Sequence, residues 1–190
     1  ADVLIEEAIS TLGFDIFYVV STLFVLVFLS VVYYQKKNYD SFKIYKSYLL
    51  IMLVESFFYA LLLFFILGNM SLYLMDGSVA NTYFNIILSL GAGIYEELIF
   101  RVFSLYIFYQ LMKFIFKSMS NFSSQFFALI LSAILFSLFH FIGAEPFTQD
   151  AFTVRFIAGI LLGFLYINRG FGITAITHSF YDIFVIFQLT

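Results

Sequence analysis

Cysteine is absent from the 190 residues. Its absence excludes a disulfide framework and any thiolate acting as nucleophile or metal ligand. Proline occurs once, and charged residues make up only 11% of the chain against 63% apolar and 23% aromatic. A soluble domain needs a charged surface over its core, so this composition excludes that class and points to an integral membrane protein. The net charge of -3 decides little, because distribution matters more than the sum. The opening ADVLIEEAIS is acidic and lacks the basic start of a cleavable signal peptide, so none is expected. Internal repeats and low-complexity linkers are missing, which leaves 1–190 as a single expected domain. The apolar runs are continuous and show no inward-polar alternation, which argues against a spanning β-barrel.

What the chain does have is a series of apolar segments near the length of about 20 residues that a helix needs to cross the hydrocarbon core. They fall at roughly 14–34, 45–67, 84–112, 123–142, 153–168 and 172–189. The expected fold is therefore an all-α membrane protein, a polytopic bundle of about six transmembrane helices, with a long third span and a short fifth. Lys36, Lys37, Lys43, Lys46, Lys113, Lys117 and Arg169 fall in one set of connections. Asp2, Glu6, Glu7, Asp76, Glu145 and Asp150 fall in the other, where Arg155 is the only nearby basic residue. The positive-inside rule then puts the lysine-bearing loops in the cytoplasm and both termini outside.

Apart from Lys46 and Arg155, which count with the connections, the ionisable residues inside the expected spans are Glu55, Glu96, Glu97, Arg101, His140, His178 and Asp182, with Asp15 close to an end. Groups of this kind face the bundle interior, where they pair or carry function. They include both histidines of the chain. Glu97 and Arg101 are four apart and share a helix face, whereas Glu96 points about 100° away from Glu97. The expected ion pair is Glu97 with Arg101, which leaves Glu96 as the candidate general base in a poorly hydrated place. Phe136 and His140 share a face by the same offset, as do His178 and Asp182.

These residues form three short motifs: Glu96-Glu97-Leu98-Ile99-Phe100-Arg101, Phe136-Ser137-Leu138-Phe139-His140 and His178-Ser179-Phe180-Tyr181-Asp182. In order and spacing they resemble EExxxR, FxxxH and HxxxN (or its Asp variant) of the CPBP intramembrane proteases. That family, also called Abi, includes type II CAAX prenyl-proteases and bacteriocin-processing members. The resemblance covers about residues 84–189, which puts the catalytic core in the last four spans. It implies a hydrolase, an intramembrane endopeptidase in which Glu96 activates water and His140 holds and polarises it. Glu97 and Arg101 would brace the site, while His178 and Asp182 would stabilise the oxyanion. The implied substrate is a membrane-embedded or lipidated, CAAX-type peptide or protein within the bilayer, with no cofactor, no metal and no nucleic acid. A multi-pass protein of this kind sits in the cell membrane if bacterial. An ionised Asp182 would repel an oxyanion where an Asn would donate to it. The expectation is that Asp182 accepts from His178 and fixes that ring's tautomer, the alternative being a protonated Asp182.

Other readings stand beside this one. Glu96, His140 and His178 would suit a catalytic zinc as two imidazoles and a carboxylate, although HExxH spacing is absent. An aspartyl protease would need a second membrane aspartate opposite Asp182, and Asp15 is the sole candidate. A non-catalytic scaffold, immunity or sensor protein, or a proton-relaying carrier, would use the same polar groove without cleavage. Singly, Glu97 with Arg101 reads as a structural pair, His140 as interfacial and Phe136 as packing among 29 phenylalanines. Glu55 is expected to pair with Arg101 or line a cavity, and Gly91 and Gly93 to permit close helix approach. Depth counting puts His140 toward the outer leaflet and His178 toward the inner half, so their meeting would require tilt or shift.

Overall fold

The computed structural model describes residues 46–71, 82–142 and 146–189, and singly residues 22, 26, 33 and 37. The regular elements among the described residues are all helices, with no strand among them. In order they form α1 (Lys46–Ser71), α2 (Thr82–Glu97), a π-helical segment (Leu98–Ser104), α3 (Leu105–Ile115), α4 (Asn121–Phe139), α5 (Gln149–Arg169) and α6 (Phe171–Leu189). Among the described residues four stretches are long and apolar enough to cross a membrane: Lys46–Leu67, Ser89–Ile115, Asn121–Phe139 and Gln149–Arg169, followed by the shorter apolar Phe171–Phe187. The protein is an integral, multi-pass membrane protein. The expected first span, 14–34, lies outside the continuously described residues.

The third span is one unbroken rod made of α2, the π-helical segment and α3. Its wide turn is visible in the bond from Leu105 N–H to the Phe100 carbonyl, five residues back. Phe100 O also accepts from Ser132 Oγ on α4 at 2.6 Å, so a side chain from a neighbouring helix reinforces the irregular ladder.

The fifth span is longer than hydropathy indicated, because polarity at its start hides a full helical turn. Thr148 caps α5 by accepting from Ala151 N–H at 3.2 Å, and Asp150 sits in the first turn, where the helix dipole favours an acid. Arg155 lies farther along with its guanidinium 5.3 Å from the Phe141 ring centre, a contact that shelters its charge. Only Gly170 separates α5 from α6; its φ of 81° is a conformation that side-chain-bearing residues rarely take.

Within the bundle α6 packs on α1 and α2, and α4 packs on α3 and α5. Small residues permit the close crossings. A Cβ at Gly159 would sit 3.0 Å from Ala133, and one at Gly163 would strike Leu129. Leu63, Leu67, Val154 and Leu162 form an apolar core between α1 and α5. Large apolar side chains such as Phe65, Phe114 and Phe122 point outward, as lipid-facing residues must.

Candidate active site

Glu96 and Glu97 end α2, where the helix passes into its wide turn, and Arg101 lies within that turn. Glu97 and Arg101 are buried, with Arg101 Nε 3.0 Å from Glu97 Oε2. This is the ion pair expected from their spacing. The Nε–H is not aimed at the oxygen, and the other guanidinium N–H groups find no acceptor among the described residues. Instead the guanidinium lies 4.6 Å from the centre of the Phe136 ring, so its charge is balanced by a carboxylate and an aromatic face.

His178, on α6, reaches the same carboxylate from the other side: its Nδ1 is 2.9 Å from Glu97 Oε1. Asp182, the expected partner, stays 3.7 Å from Nε2, beyond hydrogen-bond length. Glu97 therefore orients the ring, and the expected role of Asp182 in fixing the tautomer is corrected. The neighbour four residues along the helix competes poorly with one presented directly across the interface.

His140 caps the end of α4 and turns its ring back along the helix, with Nδ1 2.8 Å from the Phe136 carbonyl. The carbonyl can only accept, so Nδ1 carries the proton and Nε2 faces the site. That Nε2 is 3.8 Å from Glu96 Oε1, while His178 Nε2 is 3.8 Å from Glu96 Oε2. One carboxylate thus lies between two imidazoles. The apparent difference in depth disappears because the His140 ring folds inward by a turn and because α2 and α6 approach closely at Gly93. A Cβ at Gly93 would lie 2.8 Å from Ser179 N, whereas one at Gly91 would meet nothing within 4 Å. Close packing is therefore the role of Gly93 alone.

Glu96, His140 and Asp182 are 23%, 25% and 28% exposed, so the gap between them is accessible while the Glu97–Arg101 pair behind it is sealed. Among the described residues no group of three His, Asp or Glu side chains has the arrangement of a metal site.

Two features escaped sequence reasoning. Phe136 is central: its ring meets Phe100 at 5.2 Å, His140 at 4.9 Å and His178 at 6.1 Å, besides Arg101. Glu55 does not pair with Arg101; both its oxygens bind Arg169, at 2.6 and 2.5 Å. That corrects its expected partner. The four-residue spacing of Phe136 and His140 was the available signal for the first. A separation of 114 residues left none for the second.

A family model described as Type II CAAX prenyl endopeptidase Rce1-like matches residues 78–184, more than half of the chain. The matched segment contains all six candidate residues and excludes α1. No curated protein and no solved structure matches. The chain accordingly belongs to the Rce1-like family of type II CAAX prenyl endopeptidases, membrane-embedded hydrolases of the protease class.

Proposed function

We propose that this protein is a glutamate-dependent intramembrane endopeptidase acting on a membrane-associated, CAAX-type prenylated peptide or protein. The observation that carries the reading is the position of Glu96, with each oxygen 3.8 Å from the Nε2 of a different imidazole. The spacing is too long for direct hydrogen bonds and leaves room for a small polar reactant between the groups.

In this reading Glu96 removes a proton from water held jointly with His140, whose bare Nε2 accepts the second O–H. The water oxygen attacks the scissile carbonyl carbon, and the carbonyl electron pair moves onto oxygen. His178 donates Nε2–H to that oxyanion. Because Nδ1 already donates to Glu97, this requires the doubly protonated ring, whose charge Glu96, Glu97 and Asp182 stabilise. Collapse of the intermediate breaks the C–N bond, and Glu96 passes its proton to the departing amine. Arg101 holds Glu97, and through it the His178 ring. The low dielectric around the gap strengthens each of these interactions.

The test is Glu96→Gln in purified protein assayed on a prenylated CAAX-type peptide. A lost general base should lower kcat by roughly 10²–10⁴-fold while substrate binding persists. Unchanged turnover would defeat the assignment, and an unchanged cellular phenotype with no peptide product in either form would favour a scaffold.

A further inference from the structure

α1 (Lys46–Ser71) lies outside the family-matched segment, yet it is bonded to α6 directly behind His178. Ser56 is fully buried and uses both polar ends on α6. Its Oγ donates to the Ile173 carbonyl at 3.2 Å, and its own carbonyl accepts from Thr177 Oγ1 at 3.4 Å. Ile173 and Thr177 are one turn apart, so the two bonds fix the height and the rotation of α6 together.

The residues on either side of Ser56 add to this grip. Glu55 binds Arg169 through both oxygens, and only Gly170 separates Arg169 from the start of α6. Phe57 meets Phe180 and Phe184 edge-on, at 6.1 and 5.4 Å. On another side α6 is fixed to α2, where Ser179 Oγ donates to the Leu90 carbonyl at 3.4 Å and abuts Gly93. The His178 ring emerges between these two attachments, one residue from each. A helix serving only as an anchor needs an apolar face and nothing more. A buried serine bonded at both ends and a two-pronged ion pair specify register, because their geometry is directional. Arg169 is half exposed, so its pair contributes orientation more than stability.

We infer that α1 belongs to the catalytic framework, with Ser56 and Glu55 as positioning residues that hold α6 at the rotation bringing His178 to Glu97 and Glu96. The inference rests on the role proposed above for His178.

The chain contains two histidines, so isotope-labelled histidine in the detergent-solubilised protein gives two imidazole signals by NMR, assigned with His140→Gln. Ser56→Ala and Glu55→Gln should each move the His178 ring signals and leave those of His140 in place. On a prenylated CAAX-type peptide kcat should fall about ten-fold with KM unchanged. Exchanging the charges, Glu55→Arg with Arg169→Glu, should return both readouts toward wild type. His178 signals that stay put in both variants overturn the inference, and so does equal movement of both rings, which would report general loosening. Movement of His178 alone with kcat unchanged leaves α1 as a positioning element and overturns the role given to His178. The ring signals are read without substrate, so they decide the matter even if the chosen peptide is not cleaved.

Discussion

His178 Nδ1 lies 2.9 Å from Glu97 Oε1, while Asp182, on the same helix as His178, remains 3.7 Å from the opposite nitrogen. The second glutamate of the pair is thus the residue that aims the imidazole. Asp182→Asn should cost less than about ten-fold in kcat, since an amide preserves shape and Glu96 and Glu97 remain to stabilise the imidazolium. Glu97→Gln should cost roughly 10²–10³-fold, the range for losing one oriented oxyanion donor. Steady-state kinetics of the two variants side by side gives the ranking, and the reverse order would return Asp182 to the orienting role.

The Glu97–Arg101 pair is sealed from solvent, and removing one partner strands the other charge. Arg101→Met should destabilise the fold by about 3–5 kcal/mol, as for a broken buried pair. The double variant Glu97→Gln with Arg101→Met should recover part of that loss, because no lone charge remains. Denaturant or SDS unfolding in micelles measures both, and a single variant no less stable than the double one contradicts the prediction.

Glycine at 93 and glycine at 91 should respond differently to the same methyl group. Gly93→Ala pushes into the Ser179 backbone, with an expected cost of about 1–3 kcal/mol and a fall in kcat as α2 and α6 separate. Gly91→Ala meets open space and should lie within about 0.5 kcal/mol of wild type. Paired stability and activity measurements decide it, and equal behaviour would mean that the α2–α6 approach is less tight than described.

Chelation separates the proposed water-activating role of Glu96 from the zinc alternative built on Glu96, His140 and His178. Extended dialysis against EDTA, followed by assay with o-phenanthroline present, should leave the rate within about two-fold of untreated enzyme, as expected where no metal-bound water is used. Loss of activity that zinc restores would establish the metal reading instead.

Local spacing made part of this site legible. Glu97 with Arg101 and Phe136 with His140 are four residues apart, so their shared faces follow from helical geometry alone. The three motifs likewise sat on separate helices, as expected. Partners set by tertiary packing were not legible. Glu55 finds Arg169 across 114 residues, and His178 finds Glu97 across 81. Nearest-neighbour reasoning put Arg101 and Asp182 in their places.

Phe136 shows a different limit. One phenylalanine among 29 looks like filler, yet its ring meets Arg101 and both histidines. Aromatic content identifies a lipid-soluble chain, but it does not distinguish a wall of the site from packing. The fifth span was underestimated for a related reason: hydropathy penalised Gln149 and Asp150, although a capped start accommodates that polarity.

The wide turn at Leu98–Ser104 lets one membrane-crossing rod serve two neighbours. Before it, α2 is committed to α6; after it, α3 is committed to α4. An ordinary α-helix of the same length would keep one phase throughout and could not satisfy both. The same residues wound at uniform α pitch would turn one half of the rod by about 100° against the other. The wide turn thus sets the phase between the Glu96–Glu97 end of α2 and the α3 face on α4, and it carries Arg101 within it.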